Sequence, residues 1–205
     1  AIVAHQWAAG VRHGAIKGFF LAGPPGIGKT SLALRVGYEL ALRLAGQPFV
    51  LALIDGGDIA RSRYGESEER LREVFTRAQK GFEEPGQRSI LLFDDVESIL
   101  MARGSSNAKE WHFSQDSVFF HALDGLDTSR TAVCLTSNRP DLVDDAIRDR
   151  FLAYTLGSPD PDLLIEVALR QAAEQGFDAA QRDRLAERVR QGVRDGELRS
   201  VRDSE

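Results

Sequence analysis

The stretch GFFLAGPPGIGKTSLALRVGYEL, residues 18–40, decides the fold of this 205-residue chain. Its first five residues are mostly apolar, and residues 23–30 match the pattern G-x-x-x-x-G-K-[ST] without exception. A helical spacing of apolar residues begins at Lys29. A strand, a glycine-rich loop and a helix in this order are typical of a phosphate-binding loop. The alternative, a turn that merely precedes a lysine, is disfavoured by the strand and helix on either side.

The composition of this loop suits the binding of a phosphate group. Glycines allow backbone N–H groups to turn inward, and the helix N-terminus adds positive potential. Lys29 is predicted to reach the β- and γ-phosphates, and the Thr30 hydroxyl is predicted to bind Mg²⁺. The predicted nucleotide-binding residues of the loop are Gly23, Pro24, Pro25, Gly26, Ile27, Gly28, Lys29, Thr30 and Ser31.

Short apolar runs and helical patterns alternate along most of the chain. The runs are nearly continuous, which is typical of parallel strands buried on both faces. Five strands are predicted, at Gly18–Ala22, Pro48–Ile54, Ser89–Phe93, Thr131–Thr136 and Leu152–Leu156. Helices are predicted between them at residues 29–45, 66–80, 114–126 and 141–149. This alternation predicts a three-layer α/β fold around a parallel five-stranded sheet.

The character of the sequence changes at GSPDP, residues 157–161, a cluster of helix- and strand-breaking residues. Only helical patterns follow, at residues 161–175, at 178–191 and from about 196. We therefore predict an α/β nucleotide-binding domain over residues 1–156 and an incomplete helical lid domain over residues 157–205. The lid charges are mixed in sign, which favours a solvated helical face over a nucleic-acid-binding tail.

Two adjacent acids, Asp94 and Asp95, end the apolar run at residues 90–93. In P-loop ATPases the first acid after this strand holds Mg²⁺, so Asp94 is predicted to share a metal ion with Thr30. Asp95 is predicted to be the base that orients or deprotonates the attacking water. Two acids that only cap a strand are the alternative, which the upstream phosphate loop weakens.

Composition excludes several other classes of protein. The net charge of −5 makes nucleic acid an unlikely partner, and the 42% hydrophobic content supports a packed core. The single cysteine, Cys134, excludes an internal disulfide framework and a cysteine-based zinc site, and it suits the cytoplasm. The apolar runs are far shorter than the roughly 20 residues that span a bilayer, so no membrane segment is predicted.

Four further segments follow the order of motifs in the AAA ATPases, and the chain resembles that family over almost its whole length. Residues 57–68 resemble the segment that leads through pore loop 1, and residues 119–126 resemble the helix that ends in an L-D-G turn. Residues 136–138 resemble the sensor-1 motif, and residues 145–151 resemble the arginine-finger segment. Within the family, the run at residues 95–98 most resembles the pachytene-checkpoint type, which remodels HORMA-domain proteins.

The resemblance implies roles for individual residues. Asn138 corresponds to sensor 1, whose amide lies between the attacking water and the γ-phosphate. Arg150, with Arg148 as a second candidate, corresponds to the arginine finger that reaches a neighbouring subunit's site, so an oligomer and, by family, a hexameric ring are implied. Arg199 is the candidate sensor-2 residue. The candidate substrate-contacting residues of pore loop 1 are Arg61, Arg63 and Tyr64. The alternative for Asn138 is a turn-forming asparagine, and the alternative for Arg148 and Arg150 is a pair of solvated arginines at the end of a helix.

The sequence departs from the family pattern at two positions. Asp95 stands where the family usually has glutamate, so either hydrolysis is slow or the backbone compensates for one missing methylene. Arg63 stands where the pore-loop aromatic residue normally lies, with Tyr64 next to it. The substrate contact is then either Tyr64, shifted by one residue, or Arg63, which favours acidic substrate segments.

These observations predict an ATP- and Mg²⁺-dependent ATPase that forms a ring and remodels, unfolds or translocates a protein substrate. Its expected partners are copies of itself and a protein substrate or adaptor. Two other functions stay open: a DNA-acting ATPase of the clamp-loader or initiator type, and a slowly hydrolysing switch in which ATP mainly holds an assembly together. The acidic balance of the chain argues against the first of these.

Overall fold

The computed structural model describes residues 2–44, 46–60, 66–100, 110–157, 160–195 and 198, with backbone alone at residues 60 and 110–115. The chain divides into two compact units. The first consists of residues 1–22 and 30–155, and the second consists of residues 23–29 and 156–205. The predicted domain boundary near residue 157 stays a prediction.

The first unit is built on a five-stranded sheet in which every strand pair is parallel. Its strands are β1 (Gly18–Ala22), β2 (Phe49–Asp55), β3 (Arg88–Asp94), β4 (Thr131–Ser137) and β5 (Phe151–Thr155), in the order β2-β3-β4-β1-β5. β1, β4 and most of β3 are fully buried, as their apolar sequences predicted. The predicted parallel five-stranded α/β fold is confirmed.

Helices precede and connect the strands. They are α1 (Ile2–Ala9), α2 (Lys29–Arg43), α3 (Gly56–Ala60), α4 (Glu66–Lys80), α5 (Glu110–Asp124) and α6 (Asp145–Arg148), with short 3₁₀ helices at Val96–Ser98 and Pro140–Leu142. The core between α4, α5 and the sheet contains three mutually packed rings, Phe75, Phe93 and Phe119, whose centroids lie 5.2–5.7 Å apart. This packing fixes β3, and therefore the acids at its carboxyl end.

The second unit contains α7 (Pro161–Glu174) and α8 (Ala179–Arg194). Both helices are capped by an aspartate: the Asp160 side chain accepts the N–H of Asp162, and Asp178 forms a capping box with Gln181. Leucine, isoleucine, alanine and valine side chains pack between the two helices. These helical elements agree with the predicted patterns at residues 161–175 and 178–191 to within a few residues.

The helices differ from the sequence prediction in three ways. The single helix predicted over residues 141–149 is wrong: Val143 is extended, and Asp144 caps a separate helix by accepting the N–H of Ala146. The helix predicted from residue 114 begins at Glu110. The helices α1 and α3 were not predicted, because α1 lacks amphipathic periodicity and α3 has only five residues that include two glycines.

None of the helices in the described part of the chain is long and apolar enough to cross a membrane.

Candidate functional site

The phosphate-loop sequence requires glycine at positions where the backbone leaves the conformations open to other residues. Gly26 and Gly28 have φ angles of 77° and 89°, which residues with a side chain rarely adopt. The Lys29 ammonium donates hydrogen bonds to the carbonyl oxygens of Gly23 and Pro24, each at 2.9 Å. The lysine side chain therefore lies along its own loop.

A hydroxyl and a carboxylate meet at the carboxyl end of β3. Thr30 donates from Oγ1 to both carboxylate oxygens of Asp94, at 2.9 and 3.0 Å. Thr136 also donates to Asp94. Strand register explains this second contact, because Phe93 pairs with Leu135 and the next residues of the two strands therefore lie side by side. Two strands and the start of α2 thus fix the orientation of Asp94.

This donor set fits Mg²⁺. Magnesium prefers oxygen ligands and in nucleotide sites takes only one or two from the protein, the rest coming from phosphates and water. Asp94 and Thr30 supply one carboxylate and one hydroxyl in mutual contact. Within the described residues no group of three or more His, Cys, Asp or Glu side chains could hold a metal ion. One carboxylate and one hydroxyl fit a metal ion that brings phosphate ligands with it.

We expect Asp94→Ala to remove the contribution of Mg²⁺ to ATP affinity, a loss of about tenfold or more, while metal-free nucleotide binding changes little. The reason is that this carboxylate would bind the metal ion and not the nucleotide itself. Nucleotide titrations with Mg²⁺ and with EDTA measure the difference, and Asp183→Ala, which removes an exposed acid of α8, is the control. An unchanged metal dependence would mean that Asp94 does not hold the metal.

The second acid adopts an unusual backbone conformation. Asp95 has φ 51° and ψ 52°, and among the described residues it is the only non-glycine residue with a positive φ. Its backbone N–H donates to Thr136 Oγ1 at 3.1 Å, and its carbonyl accepts hydrogen bonds from the N–H and hydroxyl of Ser98. The left-handed residue turns the chain directly from β3 into the 3₁₀ helix at Val96–Ser98. Aspartate tolerates this conformation better than most residues with a longer side chain.

This turn brings the Asp95 carboxylate against the predicted sensor residue. Asn138 donates from its side-chain nitrogen Nδ2 to Asp95 Oδ1 at 2.6 Å. Of the two alternatives for the missing methylene, the geometry favours compensation by the backbone, because the short carboxylate already contacts the Asn138 amide. Asp95 is exposed and Asn138 is partly buried, so the pair is accessible to water.

We therefore expect Asp95→Glu to lower kcat by about tenfold or more, because the longer side chain would displace the carboxylate from the Asn138 amide by roughly 1 Å. Single-turnover ATP hydrolysis measures the effect, with nucleotide affinity measured in parallel. A rise in kcat would show instead that the short side chain limits the reaction.

Arg150 and Arg148 lie in the segment before β5, whereas Asp95 and Asn138 follow the carboxyl ends of β3 and β4. Gly18 pairs with both Phe151 and Val133, so Arg150 lies level with the start of β4, whereas Asn138 follows the end of β4. At about 3.3 Å per residue the separation along the strands is roughly 20 Å. Arg150 is therefore too far from the Asp95–Asn138 pair of its own chain to act there.

Both arginines make local contacts. Arg150 forms an ion pair with Asp124 at 3.1 Å, donates to the Ala146 carbonyl at 2.6 Å and lies 5.0 Å from the Phe120 ring centroid. Arg148 contacts Asp145 at 3.2 Å. Ion pairs at the protein surface contribute at most about 1 kcal/mol. Either arginine can therefore exchange its acidic partner for another negative charge at little cost.

Four predicted site residues lie outside the part of the chain that the structure describes, namely Arg61, Arg63, Tyr64 and Arg199. Two residues for which the sequence predicts no individual role contact the site: Thr136 binds Asp94 and Asp95, and Glu97 accepts the backbone N–H of Asn138. Both occur in segments that were singled out by sequence. Their contacts depend on strand register and on the turn at Asp95, which sequence does not reveal.

A parallel α/β sheet with the phosphate-loop motif after β1 and an acid at the end of β3 defines the class of P-loop nucleoside triphosphatases. Comparison with known families is more specific: the ATPase family associated with various cellular activities (AAA) matches residues 19–156. The chain belongs to the AAA ATPase family.

Individual relatives agree with this assignment. An AAA ATPase forming ring-shaped complexes from Corynebacterium diphtheriae is 33% identical over 163 residues, covering 78% of this chain and 31% of the relative. The vesicular-fusion protein sec18 of Schizosaccharomyces pombe is 32% identical over 143 residues, covering 67% of this chain and 17% of the relative. The chain thus spans about a third or less of the length of these relatives.

Proposed function

We propose that this chain hydrolyses Mg²⁺-bound ATP as a subunit of an oligomeric ring and thereby remodels, unfolds or translocates a protein substrate. One observation carries the proposal: the Asp95 carboxylate and the Asn138 amide form a contact of 2.6 Å beside the Asp94–Thr30 pair. A carboxylate that can accept a proton thus lies next to a neutral group that can hold a water molecule, on the side of the sheet where the metal ligands lie.

Each residue has one task in the proposed reaction. When bound, Mg²⁺ supplies positive charge that neutralises the phosphate oxygens. Lys29 binds the β- and γ-phosphates, while Asp94 and Thr30 hold the metal ion. Asp95 accepts a proton from the attacking water, and Asn138 orients that water without adding charge.

The arginine finger would come from a neighbouring subunit. The separation of roughly 20 Å along the strands excludes Arg150 from the water-activating pair of its own chain, whereas β5 is an edge strand of the sheet. An arginine at that edge can face a second copy. The relatives that are described as forming ring-shaped complexes support an assembly of this kind. Six subunits and the pachytene-checkpoint subtype stay predictions, as does a cytoplasmic location.

A protein substrate is favoured over DNA by the net charge of −5 and by the relative named as a vesicular-fusion protein. Substrate contact is proposed for Tyr64 and Arg63.

Steady-state ATP turnover with either an unfolded casein-like peptide or DNA tests the proposal. We expect measurable turnover that the peptide stimulates and DNA does not. Asp95→Asn, which keeps the size of the side chain but cannot accept a proton, should keep ATP bound and stop turnover. Stimulation by DNA alone would favour a DNA-acting ATPase, and tight ATP binding with negligible turnover would favour an assembly switch.

A further inference from the structure

Glu97 and Asp95 contact the same residue from a single turn of chain. The Asn138 backbone N–H donates to Glu97 Oε1 at 2.9 Å, while the Asn138 side chain donates to Asp95 Oδ1 at 2.6 Å. The left-handed conformation of Asp95 and the 3₁₀ helix that follows place both carboxylates toward the end of β4. Asn138 is thus held at its backbone and at its side chain by two acids that are two residues apart.

The segment after β4 is fixed by other contacts as well. Ser137 Oγ accepts the backbone N–H of Arg139 at 3.0 Å, and Arg139 forms a two-point contact with Asp141 at 2.7 and 3.0 Å. Asp141 raises the pKa of Arg139, chiefly through this hydrogen bond, and Glu97 adds a smaller effect in the same direction. These contacts hold the residues on either side of Asn138, whereas Glu97 accepts the backbone N–H of Asn138 itself.

The Glu97 carboxylate is not arranged for stability alone. Its second oxygen, Oε2, is buried and has no hydrogen-bond partner among the described residues. A buried acceptor without a partner destabilises a protein by about 1–3 kcal/mol. The carboxylate nevertheless occupies the position from which Oε1 reaches the Asn138 N–H.

We propose that Glu97 is a positioning residue, which holds the Asn138 backbone in the orientation that brings its side-chain amide against Asp95. Glu97 would act through the reach of an oxygen acceptor and not through its negative charge. This inference rests on the proposed ATPase function for its kinetic consequence, because Asn138 and Asp95 are the residues that would orient and deprotonate water. Its structural consequence does not depend on any nucleotide.

Two matched variants distinguish the position of the acceptor oxygen of Glu97 from the negative charge of its carboxylate. Glu97→Gln keeps an oxygen acceptor at the same distance and removes the charge. Glu97→Asp keeps the charge and withdraws the acceptor by one methylene, which lengthens a contact of 2.9 Å by roughly 1 Å. If Glu97 is a positioning residue, we expect Glu97→Gln to keep the amide exchange rate of Asn138 and the ATP turnover of the unaltered chain, and Glu97→Asp to change both. If the negative charge of Glu97 is what matters, we expect the reverse. Glu69→Ala, which removes an exposed acid of α4, is the control.

The first measurement is hydrogen exchange of the Asn138 amide in the full chain without nucleotide. We expect exchange to be about tenfold faster or more in Glu97→Asp, and unchanged in Glu97→Gln and in Glu69→Ala, because exchange reports opening of the hydrogen bond. Equal protection in the two Glu97 variants would overturn the proposal. This result is independent of ATPase activity.

The second measurement is single-turnover hydrolysis together with ATP affinity. We expect Glu97→Asp to lower kcat by about tenfold or more with ATP affinity unchanged, since misplacement by about 1 Å can reduce rates up to roughly a hundredfold, and Glu97→Gln to stay within a few-fold of the unaltered chain. A more active Glu97→Asp, or equal activity of both variants, would contradict positioning. If the unaltered chain does not hydrolyse ATP, the proposed function fails, while hydrogen exchange still decides the role of Glu97.

Discussion

Replacing Lys29 with alanine is expected to abolish measurable ATP binding while the chain stays folded. Lys29 is the only cation within residues 23–30 and is the first residue of α2, where the helix dipole also attracts phosphate. Loss of two charge-assisted hydrogen bonds, each worth about 1.5–3 kcal/mol, weakens binding by roughly a hundredfold or more. Titration with a fluorescent ATP analogue measures the effect, and thermal unfolding confirms the fold.

The matched control for this variant is Lys80→Ala, which removes an exposed lysine from the last turn of α4. It should leave ATP affinity unchanged. Near-normal affinity in a folded Lys29→Ala variant would show that residues 23–30 do not bind the phosphates, despite their match to the motif.

Loss of Arg150 is expected to reduce turnover by a factor of about 10³–10⁵, the range for arginine fingers in GTPases, with ATP binding intact. The charge that Arg150 would stabilise develops mainly in the transition state, so kcat should fall without a change in affinity. Arg150→Ala and Arg150→Lys are informative together, because lysine keeps the charge but not the planar, forked set of donors.

Arg148→Ala is the control for this prediction, since it removes the other arginine of the same segment. A larger loss of turnover in Arg148→Ala than in Arg150→Ala would assign the finger to Arg148. Weaker ATP binding by isolated Arg150→Ala subunits would contradict a role confined to the transition state.

The central sheet could be predicted closely from sequence because buried parallel strands are nearly continuous apolar runs. The predicted bounds of β1 and α4 agree with the structure, and those of the other strands differ by at most one residue at each end. Local polar contacts were harder to foresee. Asp144 caps the start of α6 with its carboxylate and thereby separates this helix from the residues before it, although the composition of the segment alone suggested one helix.

Residues of the candidate site were predictable where a sequence motif fixes their position along the chain. They were less predictable where strand pairing or a turn brings them together. Thr30 and Asp94 follow from their places after the phosphate loop and after β3, and the structure brings them into contact. The contacts of Thr136 require the pairing of β3 with β4, and those of Glu97 require the left-handed turn at Asp95. Neither feature has a distinctive sequence pattern.

The most direct test of the account is the ATPase activity of mixed assemblies of Arg150→Ala and Lys29→Ala subunits. Neither variant should turn over ATP alone. In a mixed ring, an intact Arg150 from a Lys29→Ala subunit can lie beside an intact nucleotide site on an Arg150→Ala subunit, so we expect partial recovery of turnover that depends on the mixing ratio. No recovery, in assemblies shown to contain both subunits, would contradict a catalytic site shared between neighbouring copies.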